Sequence, residues 1–303
     1  MITMLPFNPC LTVAASAHGA ILRPRACRLA PSQAWRRGRV GLVALALLLG
    51  LGGLAAAEGL VIGGSGAALG TMQLLGSEFH AKNPDVVVST EPSLGSAGSI
   101  KAMLAGAIGL AVTSRPLTED ERKLGAVEIE YARTPFVFAV SADSKVDRIT
   151  TQQLADIYVG KMTAWADGSP VRIVLRPTND IDTAIVKDIS EEVRRGILVA
   201  QARPGVRFSV NDQDAANDLE KITGAVGPSS LALIVSEKRA LRALKFDGKE
   251  PTLANAADGT YPFYKRLFLV TGSKRSATVE RFIAFVQSPA GRKILANNGQ
   301  WVP

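Results

Sequence analysis

Apolar runs that predict strands alternate with amphipathic segments that predict helices, and this alternation constrains the fold most. The segments GLVIGG, DVVVSTE and IGLAVTS predict buried strands, and AALGTMQLLGSEFHAKN and SIKAMLAGA predict the helices between them. Strand–helix alternation is typical of a mostly parallel sheet with helices on both faces. The sequence therefore predicts an α/β fold.

Three short polar turns follow the three predicted strands: GGSG, GSAGS and TSR. In open α/β sheets, ligands bind beyond the carboxyl ends of the strands. Helix N-termini at that edge favour anions, and Ser65, Ser96 and Arg115 add hydroxyl and guanidinium donors. The three turns together predict a small-anion site. Alternatively, the serines act only as helix caps and Arg115 forms a surface ion pair with Glu119.

The first 57 residues have the composition of an export signal. They contain six arginines and no Lys, Asp or Glu, and an apolar run from Val40 to Ala55 ends at an Ala-Ala-Ala site. A membrane anchor is the alternative, but the run is shorter than the ~20 residues that span a bilayer. We expect cleavage after Ala57, by the general secretory or the twin-arginine route.

Removing this leader changes the charge of the chain. The full sequence has 35 Lys+Arg and 27 Asp+Glu, and losing six arginines leaves 29 against 27, a net charge of +2. The remaining chain has no basic run suited to nucleic acid. Both cysteines, Cys10 and Cys27, lie in the leader, so we expect no disulfide and no cysteine nucleophile in the mature protein.

Two other classes of protein, dinucleotide-binding proteins and serine hydrolases, fit the first glycine turn less well. Gly64, Gly66 and Gly70 follow a strand, as in a dinucleotide-binding fingerprint, but their spacing is a variant. A serine hydrolase needs a histidine base beside Ser65, and His80, the single histidine after the leader, is placed far along the following helix. No paired-histidine spacing predicts a catalytic zinc.

The segment ITTQQLADIYVGKMTAW combines a predicted helix, Ile-Tyr-x-Gly-Lys and a following Trp. Other segments of note are GGSGAALG, GSAGSIKAM, AVTSRPLTEDE, GAVGPSS, YPFYKRLFLV and FIAFVQSPAGRKILANNGQWVP. Through these segments, nearly all of residues 58–303 resemble the periplasmic phosphate-binding proteins of ABC importers, and the first segment is the most specific because it keeps that family's pattern.

The resemblance implies ligand-binding roles for Ser65, the amide of Gly66, and Ser96. The third turn departs from the family pattern, because Arg115 stands where phosphate binders often have an aspartate that accepts the proton of the ligand. We therefore expect Arg115 to stay free for the ligand. We also expect that phosphate is not strongly preferred over sulfate.

The family's second-lobe anion loop, Ser-Gly-Thr preceded by an arginine, corresponds to residues 176–183. Thr183 is kept and Arg176 is a displaced candidate for the arginine, so both are predicted ligand-binding residues. Asp180 and Asp182 stand where amides and hydroxyls are expected, and closure of the lobes could bring one of them to Arg115.

The resemblance implies a two-lobed type II periplasmic binding protein fold, with mostly parallel sheets, flanking helices and two crossing strands. Lobe I would comprise residues 58–136 and 264–303, and lobe II residues 137–263. The implied function is capture of a small oxyanion in the periplasm by a monomer, for delivery to an ABC permease, without catalytic residues, metal, cofactor or nucleic acid. A non-transport sensor or accessory protein on the same fold, and an exported enzyme, remain alternatives.

Overall fold

A computed structural model describes residues 57–303. The predicted leader lies outside these residues, apart from Ala57 at its end. Ala55–Pro303 form one compact unit. None of the helices described combines the length and apolar character needed to cross a membrane.

The described residues form eleven strands and eleven helices. The strands are β1 Glu58–Gly64, β2 Val86–Thr90, β3 Leu110–Thr113, β4 Ala126–Ser141, β5 Arg148–Ile149, β6 Arg172–Leu175, β7 Arg207–Phe208, β8 Ala225–Ser230, β9 Leu241–Ala243, β10 Lys245–Phe246 and β11 Tyr264–Gly272. The helices are α1 Gly66–Lys82, α2 Gly95–Leu104, α3 Glu119–Lys123, α4 Thr151–Val159, α5 Ile181–Lys187, α6 Glu191–Ala202, α7 Asp212–Lys221, α8 Leu231–Ser236, α9 Leu253–Ala257, α10 Ala277–Gln287 and α11 Pro289–Asn297.

Nine strands form one sheet in the order β2-β1-β3-β11-β4-β8-β6-β7, with β9 pairing off β4, and β5 pairs separately with β10. The flanks are parallel: β1 pairs with β2 and β3, and β6 pairs with β7 and β8. The centre is antiparallel, because β11 and β4 run against each other and against their outer neighbours. The predicted α/β fold with two crossing strands is confirmed.

Alternate residues of the crossing strands pack on opposite faces of the sheet, as period-two strand geometry requires. On β11, Leu269 joins the core beneath α1 and α10, while Phe268 and Val270 join the core beneath α2. Burying an apolar side chain of this size contributes ~1.5–3 kcal/mol. Burial on both faces explains why residues 267–270 of β11 are a continuous apolar run rather than an alternating one.

The apolar core changes membership along both crossing strands. On β4, Ala132 packs with the cluster around β1 and α1, whereas Phe136 packs with the cluster around α4 and α6. On β11, the change falls between Phe263, which packs against the second cluster, and Leu267, which belongs to the first. The chain therefore builds two cores joined by two strands.

The C-terminal residues pack against the crossing strands. Trp301 forms an isolated bridge with Arg133, and its ring lies 5.7 Å from that of Tyr264. The buried hydroxyl of Thr134 donates to the carbonyl oxygen of Gly299. The same hydroxyl oxygen accepts from the amide of Ala232 at the start of α8. These contacts tie the chain end to the place where the two cores meet.

Candidate functional site

Ser65 links the end of β1 to the start of α1. Its amide donates to the carbonyl oxygen of Val112, which fixes the turn against β3. Its hydroxyl makes no capping bond to α1 and donates instead to Oδ2 of Asp212, at 3.4 Å. The side chain is 2% exposed. Ser65 is therefore directed at another element, and helix capping does not account for its hydroxyl.

Gly66, the first residue of α1, comes very close to α7. A Cβ on Gly66 would lie 2.1 Å from Oε1 of Gln213 and 2.7 Å from Cβ of Asp212. Only glycine allows the backbone to approach another chain segment so closely. The N-terminus of α1 therefore faces the N-terminus of α7 across a narrow gap.

Ser96 lies in the first turn of α2 and contacts the loop after β3. Its Oγ accepts a hydrogen bond from the amide of Ser114 at 3.1 Å, and the two hydroxyl oxygens are 3.4 Å apart. Because β1 pairs with β3 through Gly64 and Val112, Ser65 and Ser114 leave the sheet at the same edge. The prediction that the turns converge there agrees with this pairing.

The expectation that Arg115 stays free for a ligand is not met in the structure. Its Nη1 and Nη2 donate to the two carboxylate oxygens of Glu121 at 2.8 and 2.7 Å, and Nη1 also donates to the carbonyl oxygen of Pro116. The alternative prediction, a surface ion pair between Arg115 and Glu119, had the wrong partner, because Arg115 pairs with Glu121. Glu121 completes a capping box with Thr118, which turns its carboxylate back toward the loop.

Arg115 and Glu121 neutralise each other's charge. Hydrogen bonding from Arg115, aided by the amide of Thr118, lowers the pKa of Glu121 to about 2. Both side chains are partly exposed. Arg115 therefore lies at the predicted edge of the sheet, but its guanidinium fork already binds a carboxylate.

Arg176 follows β6 and is buried among carboxylates. Its Nη2 donates to Oδ2 of Asp180 at 2.8 Å and lies 3.8 Å from Oδ2 of Asp212. Its Nη1 donates to the carbonyl oxygen of Ser209. Its Nε is buried 3.7 Å from Oδ2 of Asp182 and makes no hydrogen bond to any described residue. The predicted Arg176 thus keeps one buried donor without a partner.

Thr183, in the first turn of α5, contacts the loop that contains Arg176. Its buried hydroxyl donates to the carbonyl oxygen of Arg176 at 3.1 Å. Asp180 caps the same helix by accepting from the amide of Asp182 at 2.9 Å. Thr183 and Asp180 therefore fix the position of Arg176 and Asp182.

Lys265 and Asp212 were not predicted from the sequence, yet they lie at the centre of a cluster with Arg176 and Asp182. Nζ of Lys265 lies 2.5 Å from Oδ1 of Asp182 and 3.0 Å from Oδ1 of Asp212. Lys265 stands on β11 two residues before Leu267, so period-two geometry places it on the buried side while Arg266 faces solvent. That inward register was the available signal. Asp212 gave none, because an acid in the first turn of a helix is ordinary.

The two carboxylates beside Lys265 have pKa values shifted in opposite directions. Burial raises the pKa of Asp182 to about 7 against the opposing attraction of Lys265. Burial also acts to raise the pKa of Asp212, but Lys265 and Arg176 outweigh it and hold that pKa at about 2. The ammonium of Lys265 is penalised by burial, and Asp182 and Asp212 more than compensate, so its pKa is raised. Lys265 and Arg176 thus favour the ionised form of Asp212, whereas burial favours the neutral form of Asp182.

The structure thus separates the predicted residues into three groups. Ser65, Gly66 and Arg176 meet at one cluster with Asp182, Asp212 and Lys265. Ser96 bonds to Ser114 in the loop after β3 and not to this cluster. Thr183 bonds to the carbonyl oxygen of Arg176 and so positions that arginine. Asp180 and Asp182 pair with Arg176 and Lys265 rather than with Arg115, which pairs at the surface. The described residues contain no group of His, Cys, Asp or Glu side chains arranged to hold a metal ion.

A cavity of about 740 Å³ opens beside this cluster. One wall comes from α1 and the segment after β2, including Gln73 and Glu91, and the other comes from α7 and α8, including Gln213 and Glu237. Gln213 donates to the carbonyl oxygen of Gly66 and to Glu237. The cavity therefore reaches the first turn of α7 beside Asp212, although its lining does not include Asp212 or the other residues of the cluster.

Comparison with known proteins gives concordant matches. The family described as the PBP superfamily domain matches residues 52–290. The phosphate-binding protein PstS of Bacillus subtilis is 23% identical over 259 residues, which is 82% of this chain and 81% of that protein. The PstS protein of Staphylococcus saprophyticus is 25% identical over 255 residues, 78% of each chain.

Solved structures share the fold. A Clostridium perfringens protein, named as a phosphate ABC transporter substrate-binding protein and solved with bound phosphate, superposes with a TM-score of 0.68 at 23% identity, over 81% of this chain and 100% of that one. An ABC-type phosphate transport receptor from Vibrio cholerae gives 0.56 at 23% identity, over 80% of this chain and 100% of that one.

Proposed function

The chain belongs to the PBP superfamily, and from that membership we propose that it is a solute-binding protein that captures a small oxyanion for an ABC importer. The observation that carries the proposal is that Ser65, at the head of α1, and the buried guanidinium of Arg176 both approach Oδ2 of Asp212, while Nε of Arg176 has no hydrogen-bond partner among the described residues. The named relatives are phosphate-binding proteins.

The ligand lies between the N-termini of α1 and α7. Ser65 and the amide of Gly66 donate from one side, and Arg176 and Lys265 supply positive charge from the other. Helix N-termini add to this attraction. Ser96 orders the neighbouring loop, Thr183 positions Arg176, and Arg115 stays at the rim with Glu121.

The ligand cleft lies between two lobes, residues 58–136 with 264–303 and residues 137–263. The change in core membership along β4 and β11 supports this division, because each lobe then has an apolar core of its own. Rotation about two crossing strands is a hinge motion of the kind that binding proteins use. The protein works as a periplasmic monomer after loss of its leader and delivers its ligand to a membrane permease.

Sensing without transport and enzymatic turnover are the competing functions. The relatives are binding proteins, which favours solute binding over turnover. Uptake of the ligand by cells that carry or lack the protein separates transport from sensing.

The compact unit Ala55–Pro303 should be titrated by calorimetry with phosphate, sulfate and molybdate. At least one oxyanion is expected to bind, and Ser65→Ala should weaken it. Ser77→Ala is the matched control, because its exposed hydroxyl bonds only within α1. Absence of heat with every oxyanion would refute the proposal, as would equal binding by the two variants.

A further inference from the structure

The cluster around Lys265 contains more negative than positive charge. Three carboxylates, Asp180, Asp182 and Asp212, surround two cations, Arg176 and Lys265. Apart from Asp180, whose side chain is 21% exposed, each of these side chains is at most 8% exposed. With all five groups ionised, the cluster carries a net charge of −1 in surroundings that screen charge poorly.

An incoming oxyanion increases this excess. The cluster would hold two to three negative charges in excess if every acid stayed ionised while the ligand bound. Charges removed from water are stable only when they are paired. Neutralising one of the three acids therefore favours entry of the ligand.

Of the three acids, Asp182 has the fewest donors that stabilise its ionised form. Asp180 accepts bonds from Arg176 and from the amide of Asp182, and Asp212 accepts from Ser65 and Lys265. Asp182 is contacted only by the two cations, with Oδ1 2.5 Å from Nζ of Lys265 and Oδ2 3.7 Å from Nε of Arg176, and no hydroxyl or amide of the described residues donates to its carboxylate. Burial raises the pKa of Asp182 into the neutral range.

The groups that face Asp182 come from every element packed around it. Lys265 comes from β11, Arg176 from the end of β6, Asp212 from α7 and Asp180 from the cap of α5. Glu237 lies farther out, bonded to Gln213. Neutralising Asp182 leaves two cations and two anions, which frees attraction from Lys265 and Arg176 for a ligand.

We propose that Asp182 makes ligand capture proton-coupled, taking up one proton from solvent for each oxyanion that enters the cleft. Lys265 is then shared between Asp212 and the ligand, and Asp182 stays neutral in the complex. The ligand class is a small oxyanion that binds more tightly as the pH falls below neutrality. This inference rests on the proposed function and adds to it how the site is regulated.

Calorimetry of Ala55–Pro303 with inorganic phosphate tests the proton count. Titrations at pH 8 in buffers of different ionisation enthalpy are expected to show uptake of about one proton per phosphate. From pH 6 to pH 8 the affinity should fall by roughly tenfold or more. Zero proton uptake would overturn the inference while leaving anion binding intact.

Asp182→Asn tests where the proton is held. The amide imitates the neutral acid, so this variant should bind phosphate at least as tightly as the wild type at pH 8 and take up fewer protons. Asp188→Asn, an exposed change at the other end of α5, should behave like the wild type. Asp182→Ser removes the acid in the same way if the Asn variant does not fold.

The outcomes separate the two proposals. If the Asp182 variants keep the proton uptake and pH slope of the wild type, the proton is not on Asp182 and the inference is wrong. If neither the wild type nor the variants bind any oxyanion at any pH, the proposed function itself fails.

Discussion

The loops that follow β3 and β6 each place an arginine at a sheet edge before a short helix with an acid in its first turn, yet the two arginines have opposite environments. Arg115 binds Glu121 from its own helix at a partly exposed position. Arg176 binds Asp180 locally but also reaches Asp182 and Asp212 in the interior. The position of the carboxylate of Glu121 therefore keeps the guanidinium of Arg115 near the surface, whereas that of Arg176 remains directed at the cleft.

The two loops should also differ in energy. Partly exposed ion pairs contribute ~0–1 kcal/mol, because solvent screens them and ordering two side chains costs entropy. Breaking a buried pair costs ~3–5 kcal/mol, because a charge is left in the interior without compensation. Stability and ligand affinity should therefore respond to changes in the second loop and little to changes in the first.

Arg176→Met should have the largest effect. We expect the free energy of unfolding to fall by ~3–5 kcal/mol, because Asp180, Asp182 and Asp212 lose a buried partner. Arg115→Met is the matched change in the other loop and should cost no more than ~1 kcal/mol. Urea unfolding of both variants measures the difference. Equal losses would mean that the two loops are energetically alike.

The pH dependence of stability should identify Asp182. Its pKa is raised in the folded state to about 7, so the folded protein binds more protons than the unfolded chain between that pKa and the usual one. Stability should therefore decrease as the pH rises from about 4.5 to 7, by up to ~3 kcal/mol.

Asp182→Asn should remove most of this decrease. Glu237, whose pKa is raised chiefly by burial, would leave a smaller slope of the same sign. Glu121 and Asp212 act in the opposite direction and only below about pH 4.5, because their pKa values are lowered to about 2. Unfolding curves at half-unit pH steps measure this, and an unchanged slope in Asp182→Asn would contradict it.

Ser65→Ala should weaken oxyanion binding by ~1–3 kcal/mol, the usual contribution of a hydrogen bond to a charged group. The hydroxyl now donates to Asp212 and can turn to a ligand in the same gap. Ser96→Ala should cost less, because Oγ of Ser96 is occupied by the amide of Ser114. Calorimetric affinities rank the two, and the reverse order would move the site toward α2.

Arg115→Ala should have the smallest effect on affinity, within about twofold, or ~0.4 kcal/mol. The sequence alone suggested the opposite, since an unpaired arginine at the third turn would be a main ligand. Glu121→Gln sharpens the test by releasing the guanidinium. If the alanine variant loses tenfold in affinity, Arg115 leaves Glu121 when the ligand binds.

Much of this architecture could be predicted because strands and glycine turns are local features of the sequence. Ser65 and Ser96 follow from the rule that strand ends meet at one sheet edge. Glu119 was the wrong partner for Arg115, and the spacing Thr118-x-x-Glu121, which is that of a capping box, was the available signal for Glu121. Lys265 and Asp212 are 53 residues apart, so their pairing depends on the fold of the whole chain.

The packing of Trp301 against Tyr264 provides the protein with an intrinsic optical probe. The ring of Trp301 packs against Tyr264 on β11, and Tyr264 is the sequence neighbour of Lys265. Trp165, in contrast, is 6% exposed in the core around α4 and α6. Indole emission changes wavelength and intensity with the polarity around the ring. A Trp165→Phe variant would leave Trp301 as the single fluorophore of its kind in residues 57–303. Its spectrum would report on the hinge during ligand titration without any attached dye.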